Sequence, residues 1–219
     1  GHMQTEKTSK MTLTIIILYL LIIAFPFIWV TLTSFKPESE IWGQSALKLM
    51  ADQPTLEHYQ ALFKANILNS LKNSLIIASI TTVYVTLIAS LCAYALARLK
   101  FRFKRLLITV ILATSMFPQM IVVGPIYRTF VKLGWTNSYY ITLPYSMITL
   151  PVAIFILITH FAKVPVEMEE SAYIDGASKI RTFFKIILPL ALPGIFTSAI
   201  MTFIGVWNEF LLSLTLNSD

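Results

Sequence analysis

An all-α protein that crosses a membrane several times is the fold class this sequence predicts, and three observations carry the prediction. Hydrophobic residues make up 56% of the chain and charged ones only 13%, with a strongly positive mean hydropathy, which does not describe a soluble domain with a polar rind. Five stretches reach the roughly 20 mostly apolar residues that a spanning helix needs, because a bilayer offers an open backbone nothing to hydrogen-bond. Lys and Arg gather in the short segments between those stretches.

Residues 1–10 hold Gly1, His2 and Met3, which read as an expression-tag scar, and a short polar N-terminus with Lys7 and Lys10. Residues 11–34, Met11 to Ser34, are charge-free and form the first span. This stretch is too long for a signal-peptide core and is followed by no small-residue cleavage site, so it is expected to stay as an anchor. Residues 35–68 form an extracytoplasmic segment containing Pro37, Trp42, Pro54 and the run TLEHYQALFK. In that run Thr55 can cap a helix and Leu56, Tyr59, Leu62 and Phe63 share one face, so it is expected on the membrane surface or against neighbouring spans.

The second span runs from Asn73 to Ala97, with Thr81, Thr82, Ser90 and Ala93 small enough to let another helix come close. The third, Leu106 to Tyr127, is interrupted by Pro118, Gly124 and Pro125, and the fourth, Tyr139 to Phe161, contains Pro144 and Pro151. The fifth, Ile186 to Leu212, carries Pro189, Pro193 and Gly194 at its start. No internal repeat or low-complexity tract interrupts this order.

Orientation follows from ARLKFRFKRL between the second and third spans, where Arg98, Lys100, Arg102, Lys104 and Arg105 stand without an acid and are expected in the cytoplasm. Counting outward from that loop puts the N-terminus inside, 35–72 and 128–138 outside, 163–185 inside and the C-terminus outside. The net charge of +6 therefore points to lipid head groups and topology; nucleic acid is not expected, since no basic face is interleaved with stacking aromatics. Cys92 is the only cysteine, so no internal disulfide and no thiolate metal site can form.

Four of the eleven acids sit in VEMEESAYIDGASKIRTFFKIILPLALPG, from Val166 to Gly194. Pro165 suits the first turn of a helix, and Glu167, Glu169 and Glu170 then fall near its positive end. So short a helix is unstable alone and has to be held by something else. Gly176 suits its left-handed cap, and Ser178 can cap a second helix bearing Ile180, Phe183, Phe184, Ile187 and Leu188. Lys179, Arg181 and Lys185 suit the lipid interface. Composition alone describes a solvated loop held in the cytoplasm by its charges. Spacing says more.

Glu170, Ser171 and Ala172, then three residues, Gly176, nine residues, Ile186, one residue, Leu188 and Pro189 resemble the cytoplasmic signature of the membrane subunits of binding-protein-dependent ABC importers, with Ser171 in place of alanine. AYALARLKF, NSYYITLPY, YIDGAS and FIGVWNEFLLSL are similar to the carbohydrate-uptake branch, the maltose-transporter type of permease, from about Asn69 onward. The resemblance implies a multi-pass bacterial cytoplasmic (inner) membrane subunit for sugar import, its N-terminus cytoplasmic. Its partners would be a homologous second permease, a dimer of ATPase subunits, an extracytoplasmic solute-binding protein and membrane lipid. Such permeases commonly have six spans. With five evident, residues 69–219 are expected to be an importer transmembrane domain that is incomplete at its C-terminus or has its last helix supplied differently.

The resemblance further implies a coupling helix made by Glu169, Glu170, Ser171, Ala172, Tyr173, Asp175 and Gly176, docking into a cleft of the ATPase, with Ile186, Leu188 and Pro189 joining it to the next span. Glu170 would pair with a basic group, Ala172 and Tyr173 would fill the groove and Gly176 would set the turn. The chain has no GxxxxGK[ST] loop, so it is expected to be a non-catalytic subunit that binds no cofactor, with ATP and Mg on the ATPase.

Asn208 and Glu209, about 30 Å along the fifth span from Pro189, are pathway residues or interfacial groups. Trp207 is a belt residue or a sugar platform, and Gln119 lines a cavity or a satisfied kink. His58 and His160 stand apart from any cluster of acids or thiols, so no metal site is expected, and the methionines read as packing. A self-contained secondary carrier or channel is the alternative function, weakened by spans almost free of ionisable groups. An intramembrane enzyme lacks a constellation of His, Asp, Ser or Cys. The solute could be an oligosaccharide, a monosaccharide or a sugar-phosphate glycerol ester.

Overall fold

The computed structural model describes residues 2–44 and 46–217, with side chains from Lys10 onward. Gly1, expected from the sequence to open a tag scar, lies outside the described residues. The chain divides into two compact units, Gly1–Ser70 and Leu71–Asp219.

The first unit begins with α1, His2–Thr33, whose apolar side chains lie almost wholly exposed along the span, as lipid contact demands. Its hydroxyls are satisfied locally: Thr14, Thr31 and Thr33 donate to the carbonyls of Lys10, Phe27 and Trp29 at 2.9, 2.8 and 2.7 Å. A short α2, Glu38–Ile41, follows, then a loop and α3, Glu57–Lys64. The apolar face expected on α3 is not buried within this unit. Only Tyr59 docks, its ring 5.6 Å from Phe35 and its hydroxyl 2.6 Å from Ser34 Oγ.

The loop is organised around Lys36, which is 1% exposed. Its ammonium donates to the carbonyls of Ala46 and Lys48 and lies 5.3 Å above the Trp29 ring, while its own carbonyl meets His58 Nε2 at 2.8 Å. Glu40 closes the same loop by accepting from the amides of Asp52 and Gln53, each at 3.0 Å.

The second unit opens within α4, Ile67–Arg98, a spanning helix longer at its start than the stretch read from sequence. Thr81, Ser90 and Ala93 are buried on it, together with Ala78, Val85 and Ala89. Small side chains suit this face because lipid supplies no hydrophobic drive between helices, leaving close van der Waals packing to hold them.

The third expected span is two helices, α5, Lys104–Ser115, and α6, Gln119–Leu133, meeting at 87°. Pro118 makes the break: it holds extended backbone (φ −63°, ψ 119°), and a proline also drives the residue before it out of helical geometry. Pro125 lies inside α6 without ending it. Gly134, at φ 67°, closes α6, and after a 3-10 turn over Tyr139–Ile141 the chain enters α7, Thr142–Lys163.

α8, Val166–Ile174, leads to α9, Lys179–Thr182, a π-helical turn over Phe183–Ile187, and α10, Leu188–Leu190. A 74° bend separates the stretch Lys179–Leu190 from α11, Leu192–Trp207, which is followed by α12, Leu211–Leu216. The fifth expected span is thus bent, and α11 alone covers about 24 Å at 1.5 Å per residue, less than the 30 Å expected for a straight helix from Pro189 to Glu209. Among the described residues three helices are long and apolar enough to cross a membrane, or five if each bent pair counts as one span.

α11 packs on α7 along Gly194, Ser198, Thr202 and Val206, all buried. Gly194 is the tightest point: a Cβ there would lie 2.2 Å from His160 Cγ. One core joins α4, α7 and the π turn through Ala89, Ala93, Leu96, Leu157, Phe161, Phe183 and Ile187. A second, towards the other end, joins Ala78, Phe130, Ile141, Tyr145, Val206, Leu212 and Leu216.

Candidate functional site

The acidic stretch folds as its local chemistry directs. Pro165 stands at the N-cap of α8 in extended geometry, and Glu167 and Glu169 lie in the first turn, where the helix dipole favours them. Gly176 takes φ +80°, and the amides of Gly176 and Ala177 return to the carbonyls of Tyr173 and Ala172 at 3.1 and 2.9 Å. These two bonds form a Schellman closure, which satisfies the Ala172 and Tyr173 carbonyls at the end of α8. Ser178 then caps α9 by accepting from the Arg181 amide at 3.3 Å.

The sequence does not say which face of α8 turns inward. Glu169 and Ala172 are buried at 6% and 5% exposure, so Ala172 is not a groove-filling group in this conformation. Glu170, Ser171, Tyr173, Ile174 and Asp175 are exposed, and Ile174 stands 86% exposed at the tip. Ile186 and Leu188 are half-buried and Pro189 is exposed at the start of α10. Within the π turn the Leu188 amide reaches back five residues to the Phe183 carbonyl.

Glu169 meets Arg98, the last residue of α4. Nε and Oε1 are 2.7 Å apart, with the side chains 11% and 8% exposed. Those two atoms are not aligned as a hydrogen bond, so charge holds them together. The guanidinium also donates to the Val164 carbonyl, and the Tyr94 hydroxyl donates to Glu169 Oε2 at 3.3 Å. The Tyr94 ring packs 4.7 Å from Phe183 and 5.9 Å from Phe161. Sequence reasoning missed this cluster, since Arg98 counted there only as a topology charge. The available signal was an arginine inside the last turn of an apolar span, with Tyr94 one turn before it.

At the other end of the unit, Gln119 Nε2 donates to Glu209 Oε1 at 2.7 Å. The Glu209 carboxylate also accepts the amides of Leu212, at 3.1 Å, and Ser213, at 3.3 Å, and so caps α12. Gln119 further lines a cavity of about 480 Å³ in the elbow between α5 and α6, bounded by Thr114, Ser115, Ser146, Pro151 and Ile154. The break at Pro118 makes this space, as irregular backbone at membrane depth requires a protein or cavity lining. Of the four pathway candidates the structure brings Gln119 and Glu209 together. Trp207 instead stacks on Phe203 at 5.8 Å, and Asn208 is exposed. His160 Nδ1 lies 2.9 Å from the Ile156 carbonyl, and among the described residues no three His, Cys, Asp or Glu side chains converge as metal ligands.

Apolar spans, two of them bent, a charged helical hairpin after α7 and a cavity at a broken helix define a multi-pass membrane protein. The chain belongs to the family described as binding-protein-dependent transport system inner membrane component, whose profile matches residues 85–219. It is 40% identical to the trehalose/maltose transport system permease protein MalG of Thermococcus litoralis over 98% of this chain and 78% of that protein. It is 37% identical to the sulfoquinovosyl glycerol transport system permease protein SmoH of Agrobacterium fabrum (89% of this chain, 69% of that one) and to the trehalose transport system permease protein SugB of Mycobacterium tuberculosis (88% and 70%). In fold it matches a chain from the crystal structure of a bacterial ABC transporter involved in the import of the acidic polysaccharide alginate. The TM-score is 0.72 at 20% identity, covering 96% of this chain and 74% of that one. The protein is therefore an all-α permease subunit of an ATP-driven importer, as the signature around Glu170 and Gly176 implied.

Proposed function

We propose that this permease passes a sugar or oligosaccharide across the bacterial cytoplasmic membrane and is driven by a separate ATPase dimer that grips residues 165–188. The N-terminus and the 98–105 loop lie in the cytoplasm. A homologous permease completes the pathway, an extracytoplasmic binding protein delivers the solute, and ATP and Mg are held by the ATPase. Relatives named for trehalose, maltose and sulfoquinovosyl glycerol transport support a glycoside substrate.

The observation that carries the coupling role is the two-sidedness of α8. One face is locked inward by Glu169 and Ala172, while Tyr173 and Ile174 hold apolar surface in the open. Among the described residues nothing covers Ile174, and a short helix closed at both ends moves as a rigid body, which is what a nucleotide-driven lever requires. Glu170 is free to pair with a basic group of the ATPase, Gly176 and Asp175 fix the exit turn, and Ile186, Leu188 and Pro189 pass the motion to α11. Gln119 and Glu209 border the pathway at the other end.

The test is reconstitution with the ATPase and binding protein in proteoliposomes, with trehalose and maltose as first probes. Uptake that requires ATP, together with a cross-link from Ile174→Cys to the ATPase, is the expected result. Ion-gradient-driven uptake by the isolated chain would overturn the proposal.

A further inference from the structure

The contacts of Arg98 extend beyond the loop it holds. Its guanidinium is buried with one carboxylate, Glu169 of α8, and one carbonyl, Val164, at the junction of α7 and α8. One turn earlier on α4, Tyr94 donates to the same carboxylate and packs its ring against Phe161 of α7 and Phe183 of the π turn. The final turns of α4 therefore touch each element that enters or leaves the loop. The ion pair is shielded from solvent, so salt and water weaken it little, and separating its members would strand a charge in a poorly solvated site. This arrangement favours one fixed geometry over a sliding contact.

We infer that Arg98 is a positioning residue that clamps α8 to α4, so that α4 travels with the coupling helix as one body when the ATPase closes. The link, which rests on reading the loop as the ATPase contact, adds a route for the motion besides the covalent ones through α7 and α11. It runs to a helix that is remote from the loop in sequence and carries the buried face Ala78 to Ala93. Arg98 supplies the charge and the fork, Tyr94 the alignment, and Glu169 is the handle on α8.

The experiment is pulsed EPR on the ATPase-bound complex, in a Cys92→Ser background, with spin labels at Leu75→Cys on α4 and Met168→Cys on α8, both exposed positions. The parent is expected to give one narrow distance distribution that is unchanged when ATP and vanadate trap the closed ATPase. Arg98→Gln is expected to give a similar distribution without nucleotide and a displaced or broadened one with it. Tyr94→Phe, which removes one hydroxyl and keeps the ring, is expected to shift the same way by less and serves where Arg98→Gln assembles poorly. A distribution in both variants that stays parental after trapping overturns the inference. So does one already broad without nucleotide and no broader with it, which marks packing alone. Absence of the Ile174→Cys cross-link to the ATPase in the parent fells the coupling reading and the clamp together, whereas a positive cross-link with unresponsive distances fells the clamp only.

Discussion

Gln119, the first residue of α6, donates to Glu209, which lies 90 residues later in the turn between α11 and α12. A broken helix and the end of another span are thereby joined through one carboxylate that is also the cap of α12. Glu209→Ala removes both roles and is expected to cost about 1–2 kcal/mol, in the range of a lost helix cap. Glu209→Gln keeps an acceptor oxygen and should lose less than half as much. Thermal unfolding of the detergent-solubilised chain, followed by tryptophan fluorescence, distinguishes the two.

Gly176→Pro demands φ near −65° where the chain holds +80°, and it deletes the amide that bonds Tyr173. The closure of α8 is expected to open, leaving membrane insertion intact while solute uptake falls at least tenfold for the ATP hydrolysed. No side chain or backbone crowds this position, so the cost is conformational and Gly176→Asn should stay near parental. Parental uptake in the proline variant would remove α8 from the coupling path.

Gly194→Ala puts a methyl 2.2 Å from His160 Cγ and 2.5 Å from its Cβ, atoms that cannot swing aside. α11 must move off α7, at a cost of about 1–3 kcal/mol in the range of overpacked cores. The double variant with His160→Ala removes the Cγ contact but keeps the Cβ at 2.5 Å, so it should recover only part of that loss. A double-mutant cycle showing purely additive effects would contradict the contact.

Lys36→Met leaves the carbonyls of Ala46 and Lys48 without their shared donor. The loss is expected at about 1–3 kcal/mol, the scale of an unsatisfied buried group. Limited proteolysis should cut residues 46–53 faster than in the parent, with α1 unaffected. Equal cutting rates would mean that the ammonium does not hold the loop.

The features that sequence disclosed are those set by local chemistry. Pro165, Gly176 and Ser178 announce the start, the closure and the next cap around α8 because each acts on backbone within a few residues. The small residues Thr81, Ser90 and Ala93 mark the packed face of α4 for a similarly local reason. What stayed hidden depends on tertiary placement. Pro118 and Pro125 look alike in the sequence, yet only Pro118 stands at a helix break, with α5 packed on α7 before it and α6 packed on α12 after it. Glu169 and Glu170 are adjacent and chemically near-identical, and their opposite exposures follow from Arg98, a residue 71 positions away in sequence. Lys36 reads as an ordinary charge after a span until the loop folds over it.

The π-helical turn at Phe183–Ile187 contains one residue more than a plain helix would use, and it begins inside the nine-residue interval between Gly176 and Ile186 and runs through Ile186 to Ile187. Removing one residue from that interval would convert the wide turn to an ordinary one and swing everything after it by about 100° around the axis. Leu188 and Pro189 would then address a different neighbour. The fixed arithmetic of the motif is thus an angular setting, and a tolerated deletion there has to be matched by an insertion before Ala191.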